Sequence, residues 1–533
     1  MDFISHPWQL VLVLLIVALV ALVIWDITQR RHAILRNFPL LGHFRYLLEL
    51  VGPELRQYIV TGNDEERPFS RDQRTWVYAS SKEQNNYSGF GTDSNLETMP
   101  GQIIIRPRAF PLPSDASGPA ASSPLAEIPF PVVIGERTGR THAFRPQSAV
   151  NISGMSFGAL GPNAVKALNI GAARAGVLQD TGEGGLTSYH DQGGELILQI
   201  GTGYFGVRDD RGRFDLARLN ELVARYPVRA IEIKLSQGAK PGHGGILPAV
   251  KVTPQIAEWR GVKAGVDCVS PPTHAEFHDV PTMIEFIELI ADNTGLPVGI
   301  KSAVGEFQFW DDLAAAMARD RTAGPDFIVV DGGEGGTGAA PFVFADHVSL
   351  PFKAGFAQVF NSLARVGMQH EVALIGSGKL GFPETALMAM SLGAHGVNVG
   401  REAMLSIGCI QAQRCHTDHC PTGVATQSPW RNRGLVPESK GERCGRYLIT
   451  LRHEMLDVTR VCRAEHPRLI DPSLINMVVD NFTQCSVHET MGINYDDIVM
   501  PTRQRDALLA HMGAPSSPTE TPAAGEPGGV PVA

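Results

Sequence analysis

Between about residues 126 and 405, short apolar, β-rich runs alternate with helical patterns, and this alternation limits the fold more than any other feature of the chain. The runs are 149–152, 195–200, 230–235, 297–303, 326–330, 372–375 and 396–399. Between several of them, stretches 161–175, 281–293, 310–319 and 383–392 repeat apolar residues with the 3.6-residue period of a helix. Strand, helix and strand repeated this often means a parallel sheet, because parallel neighbours need a long crossover. Runs such as FIVVDGG and VALIGSG are apolar without alternation, so both faces of their strands are covered. A doubly wound sheet and a TIM (β/α)8 barrel both meet that condition. Residues capable of chemistry end nearly every run, as a barrel demands, and the barrel is the expected fold. The 56 glycines and the 19% charged residues suit its many tight turns.

The flanks read as appendages. Residues 10–25 are an unbroken apolar run, framed by Trp8 on one side and by Asp26 and the basic residues Arg30, Arg31 and Arg36 on the other. At the helical rise this run covers about 24 Å, and Trp8 and Ile27 extend it toward the hydrocarbon thickness of a bilayer. A signal peptide carries its positive charge before the apolar core, whereas here it follows. The expectation is one inner-membrane span, with everything after residue 30 in the cytoplasm by the positive-inside rule. The expected domains are an anchor (1–35), a capping region (36–125), the barrel (126–440), a C-terminal helical extension (441–512) and a disordered Pro/Ala/Gly/Ser/Thr tail (513–533). The amphipathic piece 44–58 lies in the capping region, and 443–462 is expected to be a helix on the outside of the barrel. A formal charge of −9 without long runs argues against nucleic acid as a partner.

The run GCIQAQRCHTDHCP sets Cys409, Cys415 and Cys420 at Cys-x5-Cys-x4-Cys, with Pro421 after the last thiol. Three thiolates this close favour a soft metal, and a Cys-Pro ending is one that iron–sulfur sites use. With no fourth cysteine in the run, a three-iron cluster is the one most easily held. Zinc completed by His416 or His419, or three small core residues, are the alternatives. Zinc is disfavoured by the lack of a Cys-x2-Cys knuckle. Cys268, Cys444, Cys462 and Cys485 are scattered and read as structural.

Two stretches, Gly201-Gly203-Gly206 and Gly333-Gly335-Gly338, match G-x-G-x-x-G, but neither has the strand, helix and distant acid of a dinucleotide site. The barrel's usual phosphate site lies after strands seven and eight. Those ends read Gly376-Ser377-Gly378 and Gly400-Arg401, which offer close backbone amides, a hydroxyl and a guanidinium, a set suited to a mononucleotide such as FMN. Lys234 in AIEIK and Lys301 in PVGIK end two apolar strands. A buried lysine needs an anion, and a flavin or an acidic substrate would provide one, as would a salt bridge to Glu232 or Glu306.

These residues bring a family into view. The chain resembles the FMN-binding synthase domain of glutamate synthases through SGMSFGALG (153–161), DTGEGG (180–185), KLSQGAKPGHGGILP (234–248), VSPPTH (269–274), DGGEGGTGAAP (331–341) and GCIQAQRCHTDHCPTGVATQ (408–427). The resemblance implies a TIM-type barrel with FMN at the strand C-termini and a 3Fe-4S cluster on Cys409, Cys415 and Cys420. It implies reductive amination of 2-oxoglutarate to L-glutamate by an oxidoreductase of the glutamate synthase type. By the same resemblance Met155, Ser156, Gly332, Gly333, Gly376, Ser377, Gly378, Gly400 and Arg401 hold FMN, and Lys301 sits by the isoalloxazine. Lys234, Gln237 and Lys240 hold the dicarboxylate, and Glu183 stands where ammonia arrives.

The departures are as informative. The full glutamate synthase large chain begins with a glutaminase domain and ends with a long β-helical domain, and neither is visible here. Free ammonia, or ammonia from a separate glutaminase, is the expected nitrogen source. Ferredoxin or a separate reductase subunit is the expected electron donor. The family's KLVSE reads 301–305 KSAVG here, and the acidic residue of its AKPGEGG is His243. Both changes bear on the substrate, so an N-methylglutamate synthase-like enzyme using methylamine is one alternative. A non-catalytic, membrane-tethered flavin and iron–sulfur electron relay is another.

Overall fold

The computed structural model describes residues 7–29, 32–113 and 123–513. Within them, eight parallel strands close into a barrel: β1 Val150–Ile152, β2 Gln179–Asp180, β3 Leu196–Ile200, β4 Val228–Lys234, β5 Val298–Ala303, β6 Phe327–Asp331, β7 Ala373–Ser377 and β8 Gly396–Val399. β8 returns to β1 through the Val397–Val150, Asn398–Asn151 and Val399–Ile152 pairs. The fold is therefore the expected (β/α)8 barrel. Seven strands coincide with apolar runs. β2 has only two residues, too few for any period to register, and it is fixed by its neighbours through Ile152–Gln179 and Asp180–Ile197.

Every residue of β3, β6, β7 and β8 is buried, as strands covered on both faces must be. The crossovers carry α1 Pro162–Ala175, α2 Leu216–Arg225, α3 Val280–Thr294, α4 Gln308–Arg319, α5 Phe352–Ala364 and α6 Pro383–Ser391, with α7 Arg401–Ser406 after β8. Local signals set these limits: α1 has Pro162 in its first turn and Gly176 at φ 63° past its end, and Asp279 caps α3 through the Thr282 amide at 2.9 Å. The crossover from β2 to β3 has only the 3-10 turn Ser188–His190. The one from β4 to β5 is long, carrying the pair Ile246–Leu247 and Cys268–Val269 and the helix Pro254–Arg260 before α3.

After α7 comes α8, Pro437–Val461, the expected outer helix begun six residues earlier. It packs on α1 at glycine contacts: a Cβ on Gly171 would stand 2.5 Å from Cys444 Cβ, and one on Gly441 would stand 2.4 Å from Ile170 Cγ2. The extension expected to be helical also contains Ile475–Asp480 and Thr483–Ser486, which form an antiparallel sheet with Ile103–Ile105. Ile475–Asp480 and Thr483–Ser486 pair as a local hairpin with an irregular register, and Ile103–Ile105 joins them from a distant part of the chain, so no clean local periodicity announces the sheet. The expected tail lies outside the described residues from 514 onward, as do Arg30 and Arg31.

The chain separates into two compact units, residues 1–75 and 76–533, a division inside the expected capping region and not at its edges. In the first unit, Pro7–Thr28 is the one helix among the described residues long and apolar enough to cross a membrane. Its Asp26 is buried, accepting from the Leu40 amide at 3.1 Å and bonding His43 Nε2 at 2.9 Å. The amphipathic piece 44–58 falls on Leu41–Leu55 and the turn Arg56–Val60.

Candidate active site

At the C-terminal ends of the strands a single cleft takes at least one residue from each strand or the loop after it. Ser153, Met155 and Ser156 follow β1, and Gly182 and Glu183 follow β2; Gln199 comes from β3. Lys234, Gln237 and Lys240 come from β4 and its loop, Lys301 from β5, and Asp331 and the 335–339 loop from β6. Ser377, Gly378 and Lys379 come from β7, and Asn398, Gly400 and Arg401 from β8 and beyond it. Twelve of the expected site residues, Cys415 among them, therefore share one wall.

Gly332, Gly333 and Gly376 are not on that wall. Gly332 donates to the Ser377 carbonyl at 2.9 Å and Gly333 to that of Leu350 at 2.8 Å. A Cβ on Gly376 would stand 2.8 Å from the Phe352 ring. These glycines serve packing behind the cleft, where two backbones or a ring and a strand come too close for a side chain. Neither G-x-G-x-x-G stretch opens directly into a helix.

Two lysines face each other in register on adjacent strands, Lys234 at the end of β4 and Lys301 two residues before the end of β5. Lys234 Nζ lies 3.1 Å from Glu183 Oε2 and donates to Gln237 Oε1 at 2.7 Å. Burial opposes the Glu183 charge, but Lys234 and Lys240 outweigh it and hold the carboxyl below its usual range. Lys240 donates to the Ala339 carbonyl at 3.0 Å, and burial pulls its ammonium down to about 8. Arg260, from the excursion between β4 and β5, lines the same side; it donates to the Phe157 carbonyl at 2.9 Å and lies over the Phe205 ring at 4.9 Å. A smaller recess lined by Thr202, Ser236 and Pro272 meets the cleft at Glu183, Lys234, Gln237 and Lys240.

Below the cleft, Gln199 Nε2 donates to Asp180 Oδ2 at 2.9 Å and to Glu232 Oε1 at 2.6 Å, and Lys301 Nζ lies 3.4 Å from Ser153 Oγ. A Cβ on Gly154 would stand 2.6 Å from Gln199 Nε2, so the loop after β1 rests its backbone on this floor. Ser377, Gly378 at φ 121°, Lys379, Gly400 and Arg401 line the cleft with Asn398, which pairs with Ser377 across β7 and β8. Both amide atoms of Asn398 are buried without a partner. A buried amide that faces a cleft in this way fits a ligand offering a donor and an acceptor, and the hydroxyl, glycine amides and cations beside it fit a phosphate.

The cysteines share one loop. Cys415 lines the cleft, Cys420 is buried, and Cys409 is half-buried with its carbonyl accepting from Tyr78 Oη at 2.8 Å. Burial and the neighbouring Cys420 push the Cys415 thiol up. Buried Lys251 donates to the carbonyls of Ala159 at 2.5 Å and Cys415 at 3.2 Å, tying the loop after β1 to the cysteine loop. Among the described residues no group of three or more His, Cys, Asp or Glu is gathered as ligands of a metal ion, Cys409, Cys415 and Cys420 included. Of the other cysteines, Cys268, Cys444 and Cys462 are buried and Cys485 is half-buried.

Sequence reasoning missed Asp180, Gln199, Arg260, Lys251, Lys379 and Asn398. A signal existed for Gln199 in LILQI and Asn398 in GVNVG: a polar residue inside a run buried on both faces must point at something polar. Arg260 and Lys251 sit in an irregular excursion and carry no such mark.

Comparison with known proteins places this geometry. The conserved region in glutamate synthase matches residues 131–465. The glutamate synthase large subunit-like protein YerD of Bacillus subtilis (strain 168) is 36% identical over 495 residues, covering 86% of this chain and 93% of that protein. The archaeal-type glutamate synthase (NADPH) of Thermotoga maritima is 35% identical over 312 residues, 58% of each chain, so little more than half of that relative is spanned. A solved structure of mandelate oxidase with benzaldehyde aligns with 70% of this chain and 86% of its own at 15% identity and a TM-score of 0.40.

Proposed function

This chain belongs to the glutamate synthase family, and from that premise we propose that its cleft holds FMN and carries out the reductive amination of 2-oxoglutarate to L-glutamate with ammonia. The observation that carries this reading is the Glu183–Lys234 pair at 3.1 Å, set among Gln237, Lys240 and Arg260 on the wall that also bears Cys415.

Lys240 and Arg260 bring two buried cations to one side of the cleft, a match for a dicarboxylate, and Gln237 adds an amide. Lys240 and Gln237 bond the carbonyls of Ala339 and Gly336, and a carboxylate is a stronger acceptor than either. Glu183 stands between the cleft and the small recess, where ammonia can approach. Kept ionised by Lys234, its carboxylate relays two protons from the nitrogen to the former keto oxygen, one as the C–N bond forms to give a carbinolamine hydroxyl and one as the C–O bond breaks, so that water leaves and the neutral imine remains.

Ser377, Gly378, Asn398, Gly400 and Arg401 would hold FMN at its phosphate end, with Met155, Ser156 and Lys301 along the ring, and Cys409, Cys415 and Cys420 would hold a 3Fe-4S cluster. Bound there, the flavin supplies the hydride and the cluster supplies single electrons. The electrons come from ferredoxin or a separate reductase subunit, and the ammonia is free or comes from a separate glutaminase. Pro7–Thr28 spans the inner membrane once and leaves the barrel in the cytoplasm; its 22 residues reach about 33 Å at the helical rise.

The test is glutamate formation from 2-oxoglutarate and ammonia by the chemically reduced, full-length protein. Turnover is expected, with Glu183→Gln lowering kcat about 100- to 10,000-fold while leaving KM for 2-oxoglutarate near its original value. Absence of glutamate, or an unimpaired Glu183→Gln, would overturn the reading.

A further inference from the structure

Asp180 on β2 and Glu232 on β4 face each other across Gln199 on β3, beneath the cleft. One nitrogen, Gln199 Nε2, serves both acids, at 2.9 Å to Asp180 and 2.6 Å to Glu232. The three side chains are almost wholly buried, at 1%, 3% and 0% exposure for Asp180, Gln199 and Glu232. Asp180 Oδ1 also accepts the Gly182 amide at 2.8 Å, whereas Glu232 Oε2 is buried with no partner.

The charges that face this pair are few. Lys301 approaches from β5 and Lys234 from the end of β4. Lys234 is already paired with Glu183, and Asp331 on β6 competes for Lys301. Ser153, directly after β1, lies 3.4 Å from Lys301 Nζ and is neutral, and β3 brings Gln199. Two buried carboxylates bridged by a single amide, with one contested cation beside them, are not both ionised in the resting protein.

We propose that Asp180 and Glu232 hold one proton between them, and that this pair is a proton store which discharges into the cleft through Lys301. Burial and Asp180 push the Glu232 carboxyl well above its usual range. Burial works against the Lys301 charge, but Asp331, Glu232 and Asp180 together keep the ammonium in place. Lys301 lines the cleft. A group there that gains electrons becomes more basic and takes a proton from the ammonium, breaking an N–H bond. Glu232 then gives its proton to the amine left behind, breaking its O–H bond. In sum, one proton passes from the pair to the reduced group in the cleft, Lys301 is again an ammonium, and the pair is refilled by the same route when that group gives up its electrons and returns the proton. The electrons are those the proposed reaction already consumes, so this discharge step rests on the redox reading of the cleft; the shared proton does not.

The experiment is infrared spectroscopy of the full-length protein at neutral pH, in H2O and D2O, before and after chemical reduction. The resting protein is expected to show the C=O stretch of a protonated carboxylic acid, shifted in D2O, and to lose it on reduction. Glu232→Gln, which matches the protonated acid in shape and charge, should remove the band without loss of the fold. Followed across pH, Asp180→Asn should make the band disappear at a lower pH than in the wild type, because burial alone then raises the Glu232 carboxyl beside Lys301. A resting band that persists in Glu232→Gln, one whose pH dependence is unmoved in Asp180→Asn, or no resting band at all, overturns the shared proton. A band that ignores reduction in a preparation whose flavin does reduce overturns the store. A preparation without flavin counts against the proposed function, and its resting band still decides whether the proton is shared.

Discussion

Arg260 brings a full charge into the cleft from the end of a seven-residue helix, and its surroundings keep it there: a carbonyl for one nitrogen, an aromatic face beneath the guanidinium, and burial at 5% exposure. A charge-assisted contact from such a group to a carboxylate contributes about 1.5 to 3 kcal/mol. Arg260→Leu should therefore raise KM for 2-oxoglutarate roughly 10- to 100-fold with kcat changed only a few-fold, read by steady-state kinetics on the reduced enzyme. An unchanged KM would remove Arg260 from substrate binding. The residues readable in sequence were those that end apolar strands or sit in glycine-rich motifs, such as Lys234, Lys301, Ser377 and Arg401. Arg260 and Lys251 were not, because the excursion that carries them has no period and reaches the cleft only through tertiary packing.

Among the elements, α1 and α8 lie against each other because Gly171 and Gly441 leave no Cβ between them. Replacing Gly171 with Ala would put a carbon 2.5 Å from Cys444 Cβ and 2.7 Å from its Sγ, with a second helix unable to yield. Gly171→Ala is expected to cost about 1 to 3 kcal/mol in denaturant unfolding, despite the better helix propensity of alanine. A neutral or stabilising result would mean that the helices can part. At this scale the seven longer strands and the helices 161–175 and 443–462 were legible, the second begun six residues earlier in the structure, since long periodic segments declare themselves. β2 was not, because two residues hold no pattern. The sheet of 103–105, 475–480 and 483–486 was not either, because its three-residue edge pairs with 475–480 across 370 or more residues of chain, and the local hairpin 475–486 is too short and irregular to show a period.

For the molecule as a whole, buried histidines set the response to acid. His190, His274 and His466 are each pulled by burial from 6.5 to about 4. The folded state holds them neutral, so their contribution is fully present above pH 6.5 and is lost as pH falls from 6.5 toward 4, by an amount on the order of 3 kcal/mol for each. Glu232, whose carboxyl is raised, acts in the opposite sense, and its contribution is lost as pH rises. Unfolding midpoints in guanidinium should therefore drop between pH 6.5 and 4.5. His466→Asn should fall less steeply over that range than the wild type; equal slopes would contradict the assignment. The central claim is that one cleft joins a flavin to a thiolate-bound iron–sulfur centre. It is tested most directly by the absorption and paramagnetic resonance spectra of the protein purified without oxygen. The account predicts a flavin band together with an oxidised three-iron signal, the signal vanishing in Cys415→Ser while the flavin stays bound. A colourless, iron-free protein that still forms glutamate would contradict it.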